Sequence, residues 1–176
     1  MFVTEEEQKL SAEFIKNGYI KRGVDDKKSL DFIKDELIKI ITSYNDFQNK
    51  NSIYLETIHN QISTENLNDF RLYCINEISR KDELRQSYYL VFKKFIDLII
   101  GNELAMQKKL NLSIQMPNDN SSLLNIHADT WSGDSPFETV CWLPMVDCKK
   151  SMCMFILPAY NYNFFEEQYS ELKDKN

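Results

Sequence analysis

The chain has 176 residues, is 43% hydrophobic and 27% charged, and carries a net charge of −6. That length suits one domain, and that apolar content excludes a chain disordered by composition. The acidic balance argues against a nucleic-acid binder working through a broad basic face. No apolar run approaches the roughly 20 residues of a membrane span. The opening MFVTEEEQKL is acidic where a secretory signal is basic and then apolar. The expectation is a cytoplasmic protein with no membrane and no nucleic-acid partner.

The four prolines all lie beyond residue 116. The first hundred residues read as helical and the rest as strand and loop, an α+β order and not alternating βαβ units. Helix one is predicted from Thr4 to Asn17: Thr4 and Glu7 fit a capping box, Gly18 suits the position past its end, and Leu10, Phe14 and Ile15 form the apolar stripe. Gly18 to Val24 reads as a short strand. Helix two is predicted near Ser29 to Tyr44, with Leu30, Ile33, Leu37 and Ile41 at helical spacing. Asn45 to Ser52 is a polar loop. Helix three runs from about Thr64 to Ser79, with Leu67, Phe70, Cys74, Ile75 and Ile78 on one side. Helix four covers about Lys81 to Ile100 and stops at Gly101.

Past Gly101 the period changes from 3.6 to 2. Leu110, Leu112, Ile114 and Met116 alternate with Asn111, Ser113 and Gln115, which predicts a half-buried strand. Its polar face carries small hydrogen-bonding groups instead of charges, so it faces either solvent or a wet cavity. Pro117 to Ser122 reads as a loop, and Leu123 to Asp129, Thr139 to Val146 and Met152 to Leu157 as further strands. The tail from Asn161 is amphipathic and then polar. Several strands joined by turn-rich loops suggest a sandwich or barrel.

Cys74, Cys141, Cys148 and Cys153 show no CxxC pair and no tight metal spacing, so they read as buried free thiols. His59 has no acid at ligand spacing and reads as a structural or surface residue. Trp142, inside an apolar strand, reads as core packing. His127 is different: it sits in Ile126-His-Ala-Asp129 at the end of a predicted strand. Residues i and i+2 of an extended chain share a face, so imidazole and carboxylate stand side by side. That pair is two-thirds of a 2-His-1-carboxylate triad, the ligand set of non-haem Fe(II) oxygenases. A plain His–Asp hydrogen bond at a strand end is the alternative.

The segment from Gly101 to Pro158, with the core HADTWSGDSPFE, resembles the iron(II)/2-oxoglutarate-dependent oxygenases of the phytanoyl-CoA dioxygenase-like superfamily, in particular the branch encoded in bacterial carbohydrate-biosynthesis clusters. Upstream, NGYIKRGVDDKKSLDFIKDEL resembles the strand and helix that open that superfamily. The resemblance implies N-terminal helices packed on a double-stranded β-helix, a jelly-roll or cupin-like barrel. It implies Fe(II) held by His127 and Asp129, with 2-oxoglutarate as cosubstrate. The implied reaction couples oxidative decarboxylation of 2-oxoglutarate to hydrogen abstraction from a substrate carbon, on a small molecule such as a sugar or sugar-nucleotide. Gln115, Ser113 and Asn111 would point into the barrel toward cosubstrate or substrate. Trp131, Ser132 and Asp134 would line the substrate mouth.

The chain departs from that family's pattern downstream. The family uses a second histidine and a basic residue, usually Arg, beyond the H-x-D motif. Here no His follows His127 and no Arg follows Arg85. The resulting expectation is one partial oxygenase domain, C-terminally truncated: residues 1–104 mainly helical, 105–160 the first strands of a jelly roll whose closing strands are missing, 161–176 a polar helical tail. Such a chain is inactive alone. Its alternatives are a split enzyme completed by a second chain, a homodimer, or a non-catalytic scaffold or binding protein.

Overall fold

The computed structural model of the chain describes residues 3–44, 47, 54–119, 125–164 and 166–167. Four helices carry the fold: α1 (Glu5–Asn17), α2 (Lys27–Thr42), α3 (Leu67–Ser79) and α4 (Asp82–Ile99). Short 3₁₀ turns at Leu55–Asn60, Asp129–Ser132, Lys150–Met152 and Ala159–Asn161 punctuate the rest.

The helix signals of the sequence act as expected at both ends of α1. Thr4 Oγ1 accepts from the Glu7 amide at 3.2 Å while Glu7 Oε2 accepts from the Thr4 amide at 2.6 Å. These bonds satisfy two donors that a helix start otherwise leaves unpaired, and they hold the Glu7 carboxyl below its usual range. Gly18 takes φ +79°, a left-handed conformation that side chains resist, and its amide closes onto Phe14 O at 2.7 Å. α2 begins at Lys27, two residues before its predicted start. Asp26 caps it, accepting from the Ser29 amide at 3.0 Å and the Ser29 hydroxyl at 2.7 Å. α3 begins at Leu67, three residues after its predicted start, and α4 matches its expected span to within one residue at each end. Ile15 departs from the α1 stripe: it is 76% exposed, and Leu10 alone is buried on that helix.

α2 is the central element, packing against both α3 and α4, while α1 lies against α4 and the Ala159–Asn161 turn. The core joins Ile33, Leu37, Ile40 and Ile41 of α2 to Phe70, Cys74 and Ile78 of α3 and Leu84 and Val91 of α4. Phe47 and Phe70 stack at 5.3 Å, and Tyr44 meets Phe70 edge-on at 5.2 Å. Glu36 is buried beside this core and accepts from Lys39 Nζ at 2.6 Å and Lys81 Nζ at 2.8 Å. Those two bonds hold its carboxyl below the usual range and tie α2 to the start of α4.

The α+β expectation is overturned. Among the described residues there is no strand and no sheet, so the chain is not a set of helices on a jelly roll or double-stranded β-helix. Residues expected as strands at 18–24, 110–116, 125–129, 139–146 and 152–157 are irregular or in short turns; 123 and 124 lie outside the described residues, as does the predicted loop at 45–52 except Phe47. The physical reason is that alternation fixes which way side chains point but supplies no hydrogen-bonding neighbour. The alternation itself survives. Leu110, Leu112, Ile114 and Met116 pack against the helical core, and so do Leu143 and Met145, while the residues between them face outward. Helices supply side-chain burial to these segments but no ladder. The expected polar tail is helical at 162–164 and 166–167; its remainder lies outside the described residues.

Candidate functional site

The His127 segment is extended through Ala128 (φ −119°, ψ 139°) and then turns at Asp129–Ser132. The turn is closed by the Trp131 amide on Ala128 O at 2.9 Å and the Gly133 amide on Thr130 O at 3.2 Å. Gly133 leaves it with φ +97°, where a side chain would be strained. The extended backbone places His127 and Asp129 on one side, as the i, i+2 spacing predicts.

His127 Nδ1 lies 2.6 Å from the carbonyl oxygen of Asn125. A carbonyl only accepts, so Nδ1 carries the proton and donates. Nε2, the other ring nitrogen, lies 3.6 Å from Asp129 Oδ1. A backbone carbonyl on the far nitrogen is the usual device that orients a metal-binding imidazole. An imidazole and a carboxylate are also the right donor types for Fe(II). The pair fits one edge of such a site and does not complete it. Among the described residues no three His, Cys, Asp or Glu side chains converge.

The surroundings differ from a barrel interior. The side chains of His127 and Asp129 are 45% and 50% exposed. Trp131 is 64% exposed and Ser132 and Asp134 are exposed, so the turn flanks the pair without walling it. Asn111, Ser113 and Gln115 are exposed, and no hydrogen bond links them to His127 or Asp129. Their expected position inside a barrel is corrected: the faces of 110–116 point to helices on one side and outward on the other. His59 is half-buried in the Leu55–Asn60 turn and takes no part in the pair. Trp142, expected in the core, is 43% exposed, because the core-facing residues of its segment are its neighbours Cys141 and Leu143.

Two side-chain ties escaped sequence reasoning. Tyr88 of α4 donates its hydroxyl to Cys141 O, which fastens the 139–146 segment to the bundle; burial pushes the Tyr88 hydroxyl pKa up. A tyrosine on the apolar side of a helix is the only signal for this tie, and it does not name the acceptor. The Lys81–Glu36 bond spans 45 residues and leaves no local pattern. A shallow cleft of about 410 Å³ between the start of α2 and α4 is lined by Asp25, Asp26, Lys93, Lys94 and Asp97 among others, and includes none of the predicted site residues.

No helix among the described residues is long and apolar enough to cross a membrane. No family model matches the chain, and no curated protein or solved structure is significantly similar to it.

Proposed function

We propose that this chain supplies the His127–Asp129 edge of a divalent-metal site in a cytoplasmic non-haem Fe(II)/2-oxoglutarate-dependent oxygenase acting on a carbohydrate-pathway small molecule. The observation that carries this reading is the 2.6 Å bond from His127 Nδ1 to Asn125 O, which fixes the ring with Nε2 3.6 Å from Asp129 Oδ1. Bound iron would supply the activation of oxygen. This chain's part is to hold two of the ligands and to present Trp131, whose exposed indole offers a flat face to a sugar ring.

The rest of the site lies outside residues 1–176 under this reading, in the closing strands of the same domain or, as the alternative, in a second chain. The sequence holds no histidine besides His59 and His127, and no arginine beyond Arg85 to pair with the distal carboxylate of 2-oxoglutarate. Two protein ligands do not suffice for turnover, but under this reading they hold Fe(II) with chelating 2-oxoglutarate tightly enough to be titrated. A non-catalytic binding or scaffold protein is the second reading. It is favoured by the exposure of both side chains in an open loop.

Anaerobic titration of the purified chain with Fe(II) and 2-oxoglutarate, followed by visible absorption, separates them. A saturable charge-transfer band lost in both H127A and D129A supports the metal site. No band above the protein-free control overturns it and leaves the scaffold reading.

A further inference from the structure

We propose that two copies of this chain pair edge to edge, with Leu110–Met116 of each copy adding as a strand to Thr139–Val146 of the other. Both segments have one face packed on the helices of their own chain. Their main-chain donors are untaken: among the described residues no backbone N–H of 110–116 or 139–146 has a hydrogen-bond partner. Half-buried backbone in this state is a template for another extended chain. Main-chain bonds give such strand addition its affinity, and side-chain alternation gives it its register.

The two segments fit each other. Antiparallel pairing that keeps the core-facing residues together sets Leu110 opposite Met145, Leu112 opposite Leu143 and Ile114 opposite Cys141 of the partner subunit. The same register brings Lys108 opposite Asp147 of the partner subunit, and both are exposed in the single chain. Neither segment contains a charge, so the ladder buries none. Pro144 offers no N–H, which suits a strand paired on one edge only. The exchange is reciprocal about a two-fold axis, so each interface is made twice and the assembly closes.

On the outward face of 139–146, Val140 and Trp142 are 61% and 43% exposed, so that face of the ladder stays apolar and uncovered in the single chain. The pairing is independent of any metal at His127.

Light scattering on the eluting full chain, over a hundredfold range of concentration, is the test. The expected species is a dimer in which alternate amides, those of 110, 112 and 114 and of 141, 143 and 145, exchange slowly with solvent as concentration rises. Leu112→Pro and Leu143→Pro each delete one main-chain donor on the bonded edge, opposite to the edge of Pro144, and are expected to give monomers with unchanged helical circular dichroism. K108D and D147K are each expected to weaken the dimer at least threefold, and the double swap to restore it. If a proline variant loses its helical signal, the charge-swap pair decides. A monomer at every concentration overturns the proposal. So does a dimer indifferent to the prolines or not rescued by the swap, or an open-ended assembly.

Discussion

Apolar residues recur at regular spacing both in the helices α1 to α4 and in the largely irregular chain of 102–119 and 125–158. Their fates are opposite. Among the described residues every buried hydrophobic side chain lies at or before Val91, while thirteen of the twenty large exposed ones lie at or after Ile126. The difference lies in where each backbone finds its hydrogen bonds. A helix satisfies its own N–H and C=O groups within four residues, so α2, α3 and α4 have only side chains left to bury. An extended segment needs a second strand. Without one it can lay one face on the helices, as Leu112 and Leu143 do, and the rest of its apolar surface stays in water.

The largest expected effect comes from exchanging like residues across that divide. Phe70 is fully buried between Phe47 and Tyr44, whereas Phe155 is 85% exposed. Phe70→Ala should cost about 3–5 kcal/mol, from lost transfer energy and the cavity left behind. Phe155→Ala should change stability by less than about 0.5 kcal/mol. Urea unfolding followed by helical circular dichroism reads both. Equal losses would mean that the two regions fold as one cooperative core, contrary to the contrast drawn here.

Glu36 sharpens the same contrast within the helical half, since it is a buried charge held by two lysines. Glu36→Gln should cost about 1–2 kcal/mol at pH 7, in the range of charge-assisted hydrogen bonds discounted for the exposure of both lysines. Its folded carboxyl lies below the usual range. The unfolded state therefore binds a proton first as pH falls, and the stabilisation is complete above the unfolded value of about 4.3. It fades as pH drops from there through the folded value. The gap in urea midpoint between wild type and Glu36→Gln should begin to narrow as pH falls below about 5 and keep narrowing with further acid. A gap that does not change with pH would assign the loss to packing and not to charge.

The sequence is legible where structure is local. Thr4, Glu7 and Gly18 announce both ends of α1, and the spacing of Ile33, Leu37 and Ile41 sets the inner face of α2. The i, i+2 relation of His127 and Asp129 also holds, because it needs only an extended backbone. What is not legible is pairing. Leu110 to Met116 alternates as a strand should, yet the sheet it would join is absent among the described residues. Alternation reports the direction of a side chain and not the identity of a neighbour. The barrel interior inferred for Asn111, Ser113 and Gln115 was lost with that sheet. The Asn125 carbonyl that orients His127 is a backbone group, and no residue type encodes it.

Tyr88 joins the two regions, so removing its hydroxyl tests how far the extended half depends on the bundle. Tyr88→Phe keeps the ring, which packs against Phe92 at 5.1 Å, and deletes the bond to Cys141 O. The expected cost is about 1 kcal/mol, the net worth of one hydrogen bond. The more telling readout is local. Amide exchange near Cys141 should accelerate several-fold while α2 and α3 keep their protection. Unchanged exchange at 141 would show that Leu143 and Met145 hold the segment without the tie.

The smallest perturbation leaves stability untouched and reads the two regions through their thiols. The thiolate is the form that alkylates, so burial protects a cysteine twice, by blocking access and by raising its pKa. Cys74, fully buried in α3, is pushed to about 12. Burial also raises Cys141, and Cys148 is raised by burial with added repulsion from Cys153 and Asp147. Cys148 and Cys153 are both partly exposed, on either side of the Lys150–Met152 turn. Iodoacetamide at pH 8 followed by mass spectrometry should therefore label Cys148 and Cys153 in the native chain, Cys141 more slowly, and Cys74 only as fast as the bundle unfolds. Urea below the unfolding midpoint should speed Cys141 before Cys74, because Tyr88 and two side chains release more easily than a helix core. Labelling of Cys74 at the rate of Cys153 would remove the distinction between the halves, since it would make the helical core as open as the segments laid upon it.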